Sequence, residues 1–245
     1  MNKANEISSK VGLIGLESGA IKINTKKPFL DIYGKFRPVF IDCNLFLPYP
    51  KYRDIVIIGI VEIVRNSVNL HHRSLGISGS ETGIPWASSI AEIFKASLIY
   101  IQSDYGDSDT KKQKDCKEGI DLAKHRVILI DDVISTGRKN ASTVASIRKM
   151  NGICDLCISI IDCGFSEAEK VFAGELPFKR DGFEAPIESL KSSCEKKSLL
   201  NLPQLIKVAW DNGFIEREEE KILLEWIENP EYWGDRHNFP ALRKT

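Results

Sequence analysis

The sequence predicts an α/β protein whose mostly parallel sheet is flanked by helices. Residues 127–130 and 153–161 are aliphatic or largely apolar, and neither run shows the polar alternation of a strand with one wet face. Strands of this kind are covered on both faces, as in a parallel sheet. Apolar residues at helical spacing lie between the runs, so strands and helices alternate. That alternation implies right-handed crossovers and a parallel sheet.

The predicted elements follow one another along the chain in this order. Residues 11–21 predict a short helix, and residues 29–47 predict extended segments with a turn at Gly34. The alternating part is predicted as a helix at 52–69, a strand at 75–78, a helix at 84–95, strands at 97–102 and 126–131, a helix at 139–150 and a strand at 153–162. Beyond Gly174, helices are predicted at 202–212 and 216–228, with Trp210, Trp226 and Trp233 as packing anchors.

The order of the predicted elements divides the chain into three segments. A small amino-terminal hood should occupy residues 1–50, a core residues 51–190, and a carboxy-terminal helical extension packed on the core residues 191–245. With 245 residues and 42% hydrophobic content, the chain can bury one sizeable core, or one domain with a helical appendage.

Charge and hydropathy exclude several classes of partner. Lys plus Arg and Asp plus Glu number 34 each, which argues against a general nucleic-acid or membrane binder. Residues 1–10 are polar and contain no signal-peptide core, and the longest apolar run, residues 55–61, is far too short to cross a bilayer. We therefore expect a cytoplasmic protein with reduced cysteines that binds neither nucleic acid nor membrane.

The paired cysteines and histidines favour plain structural roles. Cys154 and Cys157 form a single C-x-x-C inside an apolar strand, with no second pair and no nearby histidine, so a core role is favoured over zinc or redox chemistry. His71 and His72 precede Arg73 at the end of an amphipathic stretch, where solvated turn residues are favoured over phosphate contacts.

The most informative stretch is residues 127–137, Val-Ile-Leu-Ile-Asp-Asp-Val-Ile-Ser-Thr-Gly. Its strand should end where Asp131 and Asp132 begin, and a helix should start just after Gly137. Free N–H groups at a helix amino terminus, with hydroxyls beside them, form a pocket for a phosphate. Carboxylates can accept hydrogen bonds from sugar hydroxyls or help to position a divalent cation. The pattern predicts a sugar-phosphate site at the carboxyl end of the sheet.

Two other interpretations of the acid pair are weaker. A Walker B segment would need a partner Gly-x-x-x-x-Gly-Lys-Ser/Thr loop, which the sequence does not contain. The plain alternative is a pair of solvated aspartates followed by an ordinary helix cap. The combination of strand, acids, hydroxyls and glycine is more specific than its parts, and it favours the sugar-phosphate site.

Two loops add to the predicted site. Residues 79–83, Gly-Ser-Glu-Thr-Gly, join a strand to a helix with Pro85 near its first position, so they predict a second anion site. Residues 103–121 are charged and almost without apolar residues, which indicates a lid. Lysines of this lid could meet a polyanion, and the alternative is a merely solvated connection; they are Lys111, Lys112, Lys114 and Lys117.

Together these motifs resemble orotate phosphoribosyltransferase across roughly residues 13–215. Residues 127–137 are similar to the phosphoribosyl pyrophosphate loop of type I phosphoribosyltransferases. The other matching segments are Leu16-Glu-Ser-Gly-Ala-Ile-Lys22, Tyr33-Gly-Lys-Phe-Arg-Pro38, Phe40-Ile-Asp42, Gly83-Ile-Pro85, Lys111-Lys112-Gln113-Lys114-Asp115 and Glu118-Gly119.

The resemblance implies a type I phosphoribosyltransferase fold and a magnesium-dependent transferase. In such an enzyme a ring nitrogen displaces pyrophosphate from the anomeric carbon of phosphoribosyl pyrophosphate, through an oxocarbenium-like state. Mg²⁺ would be held mainly by the donor and water. The lysine loop would reach into the neighbouring subunit's active site, which implies a homodimer.

Site roles carried over by position complete the expectation. Asp131 and Asp132 would hold the ribose hydroxyls. The departing pyrophosphate would meet the lid lysines Lys111, Lys112 and Lys114 and the turn residues Glu81, Thr82 and Gly83. The 5-phosphate would meet Ser135, Thr136, Gly137, Arg138 and Lys139.

Five positions depart from that family's pattern. Ile32 and Thr82 stand where it has lysines, Cys116 where it has a histidine, Cys163 where an arginine contacts the orotate carboxylate, and Arg138 where the phosphate loop has a small residue. Loss of an arginine-carboxylate contact removes a charge-assisted bidentate bond, so orotate should be a poor acceptor.

Three functions remain open on the sequence. The lysine loop favours an enzyme that transfers a phosphoribosyl group to a nitrogen heterocycle, orotate or another base. The lost basic residues favour an enzyme with an altered acceptor, or a non-catalytic sensor or regulator that binds the donor. Arg37 could supply the missing charge from another direction. Hydrolysis of the donor is the third use of such a site.

Overall fold

The structure, a computed structural model, describes residues 3–31, 33–68, 74–101, 120–178 and 188–242. Its strands are β1 (Ile21–Ile23), β2 (Phe29–Leu30), β3 (Phe36–Arg37), β4 (Val39–Ile41), β5 (Ser74–Gly79), β6 (Ser97–Tyr100), β7 (His125–Ile134), β8 (Ile153–Asp162) and β9 (Glu195–Asn201). Its helices are α1 (Lys3–Ser18), α2 (Pro50–Ser67), α3 (Ile84–Phe94), α4 (Arg138–Lys149), α5 (Ser166–Ala173), α6 (Leu202–Asp211), α7 (Arg217–Glu228) and α8 (Trp233–Arg236).

The main sheet carries the middle of the chain. Within the described residues it has five strands, in the order β6-β5-β7-β8-β9. Strand β5 runs parallel to both β6 and β7, with Ile77 opposite Leu98 on one side and Ile128 on the other. Residues 127–130 of the central strand are fully buried on both faces of the sheet. The predicted α/β architecture, a mostly parallel sheet flanked by helices, is confirmed.

The chain divides into two compact units. The first comprises Met1–Gly59, Ile161–Phe165 and Leu199–Thr245, and the second comprises Ile60–Ile160 and Ser166–Ser198. In the first unit α1 packs on α6, and a Cβ on Gly12 would lie 3.2 Å from Val208 Cγ1. The first unit also holds the antiparallel pairs β1 with β4 and β2 with β3. The division into hood, core and extension remains a prediction.

The second unit contains an apolar cluster that α4 and α5 share with β7 and β8. The α4 members occupy the positions that helical spacing predicts, namely Ala141, Val144, Ala145 and Ile147. Cys154, Cys157 and Cys194 join the same cluster as buried side chains. A hydrogen bond with the Cys194 thiol, and then burial, raise the pKa of Cys154, so this thiol stays protonated at neutral pH. The predicted core role of the C-x-x-C pair is confirmed.

Three predicted elements differ in the structure. Strand β7 does not end at the acids but continues through them to Ile134, because the carboxylates find hydrogen-bond donors inside the fold. Helix α1 spans Lys3–Ser18 rather than 11–21, and Ile21 begins β1. Strand β9 lies within the range predicted to be a helical extension, so that range contributes a strand to the main sheet.

Two of the three tryptophan anchors are confirmed. Trp226 is 2% exposed and meets the Phe165 ring edge-on, with ring centroids 5.2 Å apart. Trp233 is also buried and stacks on His237 at 4.8 Å. The prediction for Trp210 is wrong, since this side chain is 43% exposed on α6. Helical spacing alone does not distinguish a residue at the edge of the apolar face of an amphipathic helix from one at its buried centre.

Some predictions fall outside the described part of the chain. They concern His71, His72, Arg73 and nearly all of the lid. Across the ranges that are described, we find no helix with the length and apolar character needed to span a membrane.

Candidate active site

The candidate site lies at the carboxyl end of β7, in the second unit. Residues 79–83, which we call the β5–α3 turn, cross over this end. The Ser80 N–H donates to the Ile130 carbonyl oxygen at 3.3 Å. A Cβ on Gly83 would overlap the same oxygen, so the crossing requires glycine there. This close approach brings the hydroxyls of Ser80 and Thr82 to the acid pair.

Asp131 is fully buried, and both of its carboxylate oxygens are hydrogen bonded. Oδ1 accepts from the Ser80 hydroxyl and from the Asp132 N–H at 2.9 Å, and the Thr82 hydroxyl, whose single proton the two acids share, lies 3.1 Å away. Oδ2 accepts from Asn140 Nδ2. These donors replace the water that a charged carboxylate loses on burial. Asp131 therefore ties the β5–α3 turn and α4 to the end of β7.

Asp132 keeps one oxygen open at the same strand end. Its Oδ1 accepts from the Thr82 hydroxyl at 2.7 Å and from the Val133 N–H at 2.8 Å. Among the described residues, no hydrogen bond is made to Oδ2. Burial, and then the Asp131 carboxylate, raise the pKa of Asp132 to about 6, although the Lys139 ammonium acts in the opposite direction. Asp132 thus offers an open acceptor that gains its full charge close to neutral pH.

Lys139 places a positive charge beside the two acids. Its Nζ lies 3.2 Å from Asp131 Oδ2 and 3.9 Å from Asp132 Oδ1. It also donates to the Thr82 hydroxyl at 3.1 Å. Although Lys139 is the second residue of α4, next to the loop predicted to hold the 5-phosphate, its side chain turns back to the β5–α3 turn. The predicted contact of this ammonium with the 5-phosphate finds no support in that placement.

The predicted phosphate loop joins β7 to α4. Gly137 has a φ of 77°, a left-handed conformation that favours glycine, and a Cβ there would lie 3.0 Å from the Phe172 ring. The first hydrogen bond of α4 runs from Ala141 N–H to the Gly137 carbonyl at 2.9 Å. The N–H groups that precede it have no acceptor within the helix, and the half-buried hydroxyls of Ser135 and Thr136 lie on the adjoining bend. This arrangement is suited to an anion.

Arg138 of the same loop forms an ion pair within the protein. Its Nε donates to Glu167 Oε1 of α5 at 2.5 Å. The guanidinium is therefore partly neutralised by a carboxylate that lies 29 residues further along the chain. Any part of Arg138 in binding a phosphate would have to compete with this ion pair.

The predicted site residues fall into three groups. Asp131, Asp132, Thr82 and Lys139 form one hydrogen-bonded group. Glu81 and Gly83 on the β5–α3 turn, and Ser135, Thr136, Gly137 and Arg138 on the next loop, border this group in sequence. Lys111, Lys112 and Lys114, like Ile32 and Cys116, lie outside the described residues, so their roles remain predictions.

Two buried residues of the site were missed. Ser80 and Asn140 both donate to Asp131 and are 4% and 2% exposed. The signal for Asn140 is present in the sequence, because it falls on the apolar stripe of α4, four residues before Val144 and seven before Ile147. A polar residue at such a position requires a buried partner. Ser80 lay inside a turn predicted to bind an anion, where its contact with an acid was not anticipated.

Comparisons with known proteins agree with this geometry. No protein-family model matches the chain. An orotate phosphoribosyltransferase of Lactiplantibacillus plantarum is 26% identical over 230 residues, which cover 94% of this chain and 98% of that protein.

Solved structures show the same fold. The UMP synthase of Leishmania donovani superposes with a TM-score of 0.65 at 19% identity, over 90% of this chain and 42% of that one. The orotate phosphoribosyltransferase of Aeropyrum pernix gives a TM-score of 0.60 at 18% identity, over 84% of this chain and 99% of that one. The resemblance found in the sequence is confirmed, and the fold is that of the type I phosphoribosyltransferases.

Proposed function

We propose that the protein transfers a phosphoribosyl group from phosphoribosyl pyrophosphate to a nitrogen heterocycle and releases pyrophosphate. The observation that carries the proposal is one continuous structure, an acid pair at the end of β7 followed by a glycine bend and the amino terminus of α4. Acceptors for the ribose hydroxyls and a pocket suited to the 5-phosphate are then joined by one short strand-to-helix connection. The similarity to an orotate phosphoribosyltransferase over nearly the whole chain supports the same assignment.

The two acids take different roles in this proposal. Asp131 is already saturated by Ser80, Asn140 and the Asp132 N–H, so it holds the site together. Asp132 has an open Oδ2 and accepts a hydrogen bond from a ribose hydroxyl. This hydrogen bond strengthens as positive charge develops on the sugar ring, because the carboxylate is held in a site with little water.

The donor's phosphates meet the other parts of the site. The 5-phosphate binds at the bend of Ser135, Thr136 and Gly137 and at the first turn of α4. The diphosphate faces the β5–α3 turn. Lys111, Lys112 and Lys114 of the lid stabilise the departing pyrophosphate, since closure of a cationic lid favours the transition state and excludes water.

We propose that a divalent cation enters the site with the donor. Among the described residues, no group of three or more His, Cys, Asp or Glu side chains could enclose a metal ion. The Lys139 ammonium beside Asp131 also disfavours a second cation placed directly on the acid pair. We propose that Mg²⁺ is held mainly by the diphosphate and water, where it would neutralise charge on the leaving group.

The acceptor is an orotate-like heterocycle or one with altered charge. Cys163, at the position where the resemblance implies an arginine, is 4% exposed and has a thiol in place of a guanidinium. A site without that cation gives little discrimination between an acidic base and a neutral one. We expect orotate to be a poor substrate.

The test is a steady-state assay of pyrophosphate release from phosphoribosyl pyrophosphate with Mg²⁺ and a panel of orotate, uracil and purine bases. We expect release to depend on a base, with orotate turned over slowly and no faster than a neutral heterocycle. For orotate, a kcat/KM of roughly 10⁴ M⁻¹s⁻¹ or more would contradict the acceptor proposal. Donor binding without turnover of any base would contradict the enzyme proposal and point to a sensor, and release without a base would point to hydrolysis.

We also propose a homodimer in which each lid serves the partner's site. Asp132→Asn and the double variant Lys112→Ala/Lys114→Ala should each be nearly inactive alone. Mixed after subunit exchange, they should recover about a quarter of wild-type activity, because about half of the dimers then carry one intact site. The absence of any recovery, together with a monomeric mass by light scattering, would refute the shared site.

A further inference from the structure

The ammonium of Lys139 is held at the β5–α3 turn by three groups on two elements. Thr82 Oγ1 lies 3.1 Å from Nζ, and the carboxylate oxygens near it are Asp131 Oδ2 at 3.2 Å, Asp131 Oδ1 at 3.5 Å and Asp132 Oδ1 at 3.9 Å. These four oxygens fix the position of a flexible side chain that would otherwise sample many rotamers. The charge is therefore placed in advance of any ligand.

The turn itself carries no cation. Its sequence is Gly-Ser-Glu-Thr-Gly, so Glu81 is its one charged residue and is negative. A diphosphate that faces this turn would meet N–H groups and hydroxyls, but also the repulsion of Glu81. Lys139 brings a positive charge to this turn from the first residues of α4, where it stands beside Thr82.

The same ammonium is accessible to a ligand. The Lys139 side chain is 44% exposed, whereas the Asp131 side chain beneath it is fully buried. Asp131 retains the hydrogen bonds from Ser80, Asn140 and its neighbouring N–H when the lysine shifts. Lys139 can therefore tilt towards an incoming anion without leaving a buried carboxylate unsatisfied.

We propose that the Lys139 ammonium binds the diphosphate of the donor and, after transfer, the departing pyrophosphate. The inference rests on the proposed function, and it assigns the side chain to the opposite end of the donor from the 5-phosphate. Thr82 positions this charge, so a threonine on the turn and a lysine on α4 together provide what a lysine on the turn would provide alone. A cation fixed by hydrogen bonds stabilises leaving-group charge without reorganisation.

The test separates the two ends of the donor. Binding of inorganic pyrophosphate with Mg²⁺, and of ribose 5-phosphate, is measured by calorimetry for the wild type and for Lys139→Met. We expect the dissociation constant for pyrophosphate to rise roughly tenfold or more, because the variant loses one charge-assisted hydrogen bond to this ligand. The dissociation constant for ribose 5-phosphate should change by less than about twofold, because Lys139 does not contact this ligand in the proposed arrangement.

A second variant and a control complete the experiment. Thr82→Lys/Lys139→Met moves the ammonium to the turn and should restore pyrophosphate binding to within about threefold of wild type. Lys149→Met removes a lysine of the same helix that pairs with Glu188 at 2.8 Å, and it should leave both constants unchanged. Thermal melting of each variant checks that it is folded.

Three other calorimetric results would contradict the role proposed for Lys139. If Lys139→Met loses only the binding of ribose 5-phosphate, Lys139 contacts the 5-phosphate and not the diphosphate. Tighter pyrophosphate binding in Lys139→Met would show that the lysine only neutralises the acids and competes with the ligand. If the wild type binds neither phosphoribosyl pyrophosphate nor its two halves, the proposed function fails first, and this inference fails with it.

Discussion

Asp131→Asn should lower the free energy of unfolding by on the order of 3 kcal/mol, since hydrogen bonds to a buried charge contribute strongly and their loss leaves donors unsatisfied. Every partner of this carboxylate is a donor, including Ser80, Asn140 and Lys139. An asparagine would turn an amide NH₂ towards one of these donors. Urea denaturation at pH 7.5 measures the effect.

The matched control is Asp132→Asn on the adjacent residue. Asp132 accepts fewer hydrogen bonds and already has a raised pKa, so its neutral replacement should leave the stability at pH 7.5 unchanged or increase it. Donor binding should nevertheless weaken by on the order of 1 to 3 kcal/mol, because the open oxygen loses its charge. Equal destabilisation by the two substitutions would contradict the division of roles between anchor and ligand group.

The framework of the site follows from apolar patterns that the sequence shows directly. Four aliphatic residues before Asp131 predict a strand buried on both faces, and residues 127–130 are fully buried in the central strand. The end of that strand was not predictable in the same way. Two acids and a polar turn disfavour a strand by local propensity, but donors from the β5–α3 turn and from α4 satisfy Asp131 where it lies. Contacts between residues far apart in sequence thus override the local preference.

Side-chain directions limit the prediction of the site itself. The position of Lys139 after Gly137 predicts proximity to a phosphate loop, yet its four-carbon stem carries the ammonium back to Thr82, 57 residues earlier in the chain. Arg138 likewise turns to Glu167. A long, flexible side chain goes to the nearest compensating charge, and this charge is known only once the helices are packed.

Strand β9 shows a further limit. Its sequence, Glu-Lys-Lys-Ser-Leu-Leu-Asn, has neither polar alternation nor an aliphatic run, so only Leu199 and Leu200 mark it as buried. It is the outer strand of the sheet next to β8, where one side of the ladder has no partner among the described strands. Charged residues are common on such an edge because they prevent further pairing. An edge strand of this composition resembles a polar loop or a helix start in sequence.

The acid pair should make stability and donor binding respond to pH in opposite directions. The pKa of Asp132 is about 6 in the folded protein and 3.8 without the fold. At a pH between these two pKa values, Asp132 is protonated in the folded protein and ionised in the unfolded chain. The contribution of Asp132 to stability is therefore full below pH about 4 and is lost as the pH rises through about 6, a change of about 3 kcal/mol. The difference in unfolding free energy between wild type and Asp132→Asn, followed from pH 4 to 7.5, isolates this slope.

Donor affinity should rise across the same interval. The ribose hydroxyl donates to the Asp132 carboxylate, so the charged form binds and the protonated form must first release its proton. We expect the dissociation constant for phosphoribosyl pyrophosphate to fall as the pH rises towards about 7, and binding near pH 6 to release protons. Calorimetry in two buffers of different ionisation enthalpy counts those protons, after subtraction of the same experiment on Asp132→Asn, which corrects for titration of the donor's own phosphates. If Asp132→Asn releases as many protons on binding as the wild type, the Asp132 carboxylate does not take part in binding. If the pH dependence is lost in the variant, the Asp132 carboxylate is the group that contacts the sugar.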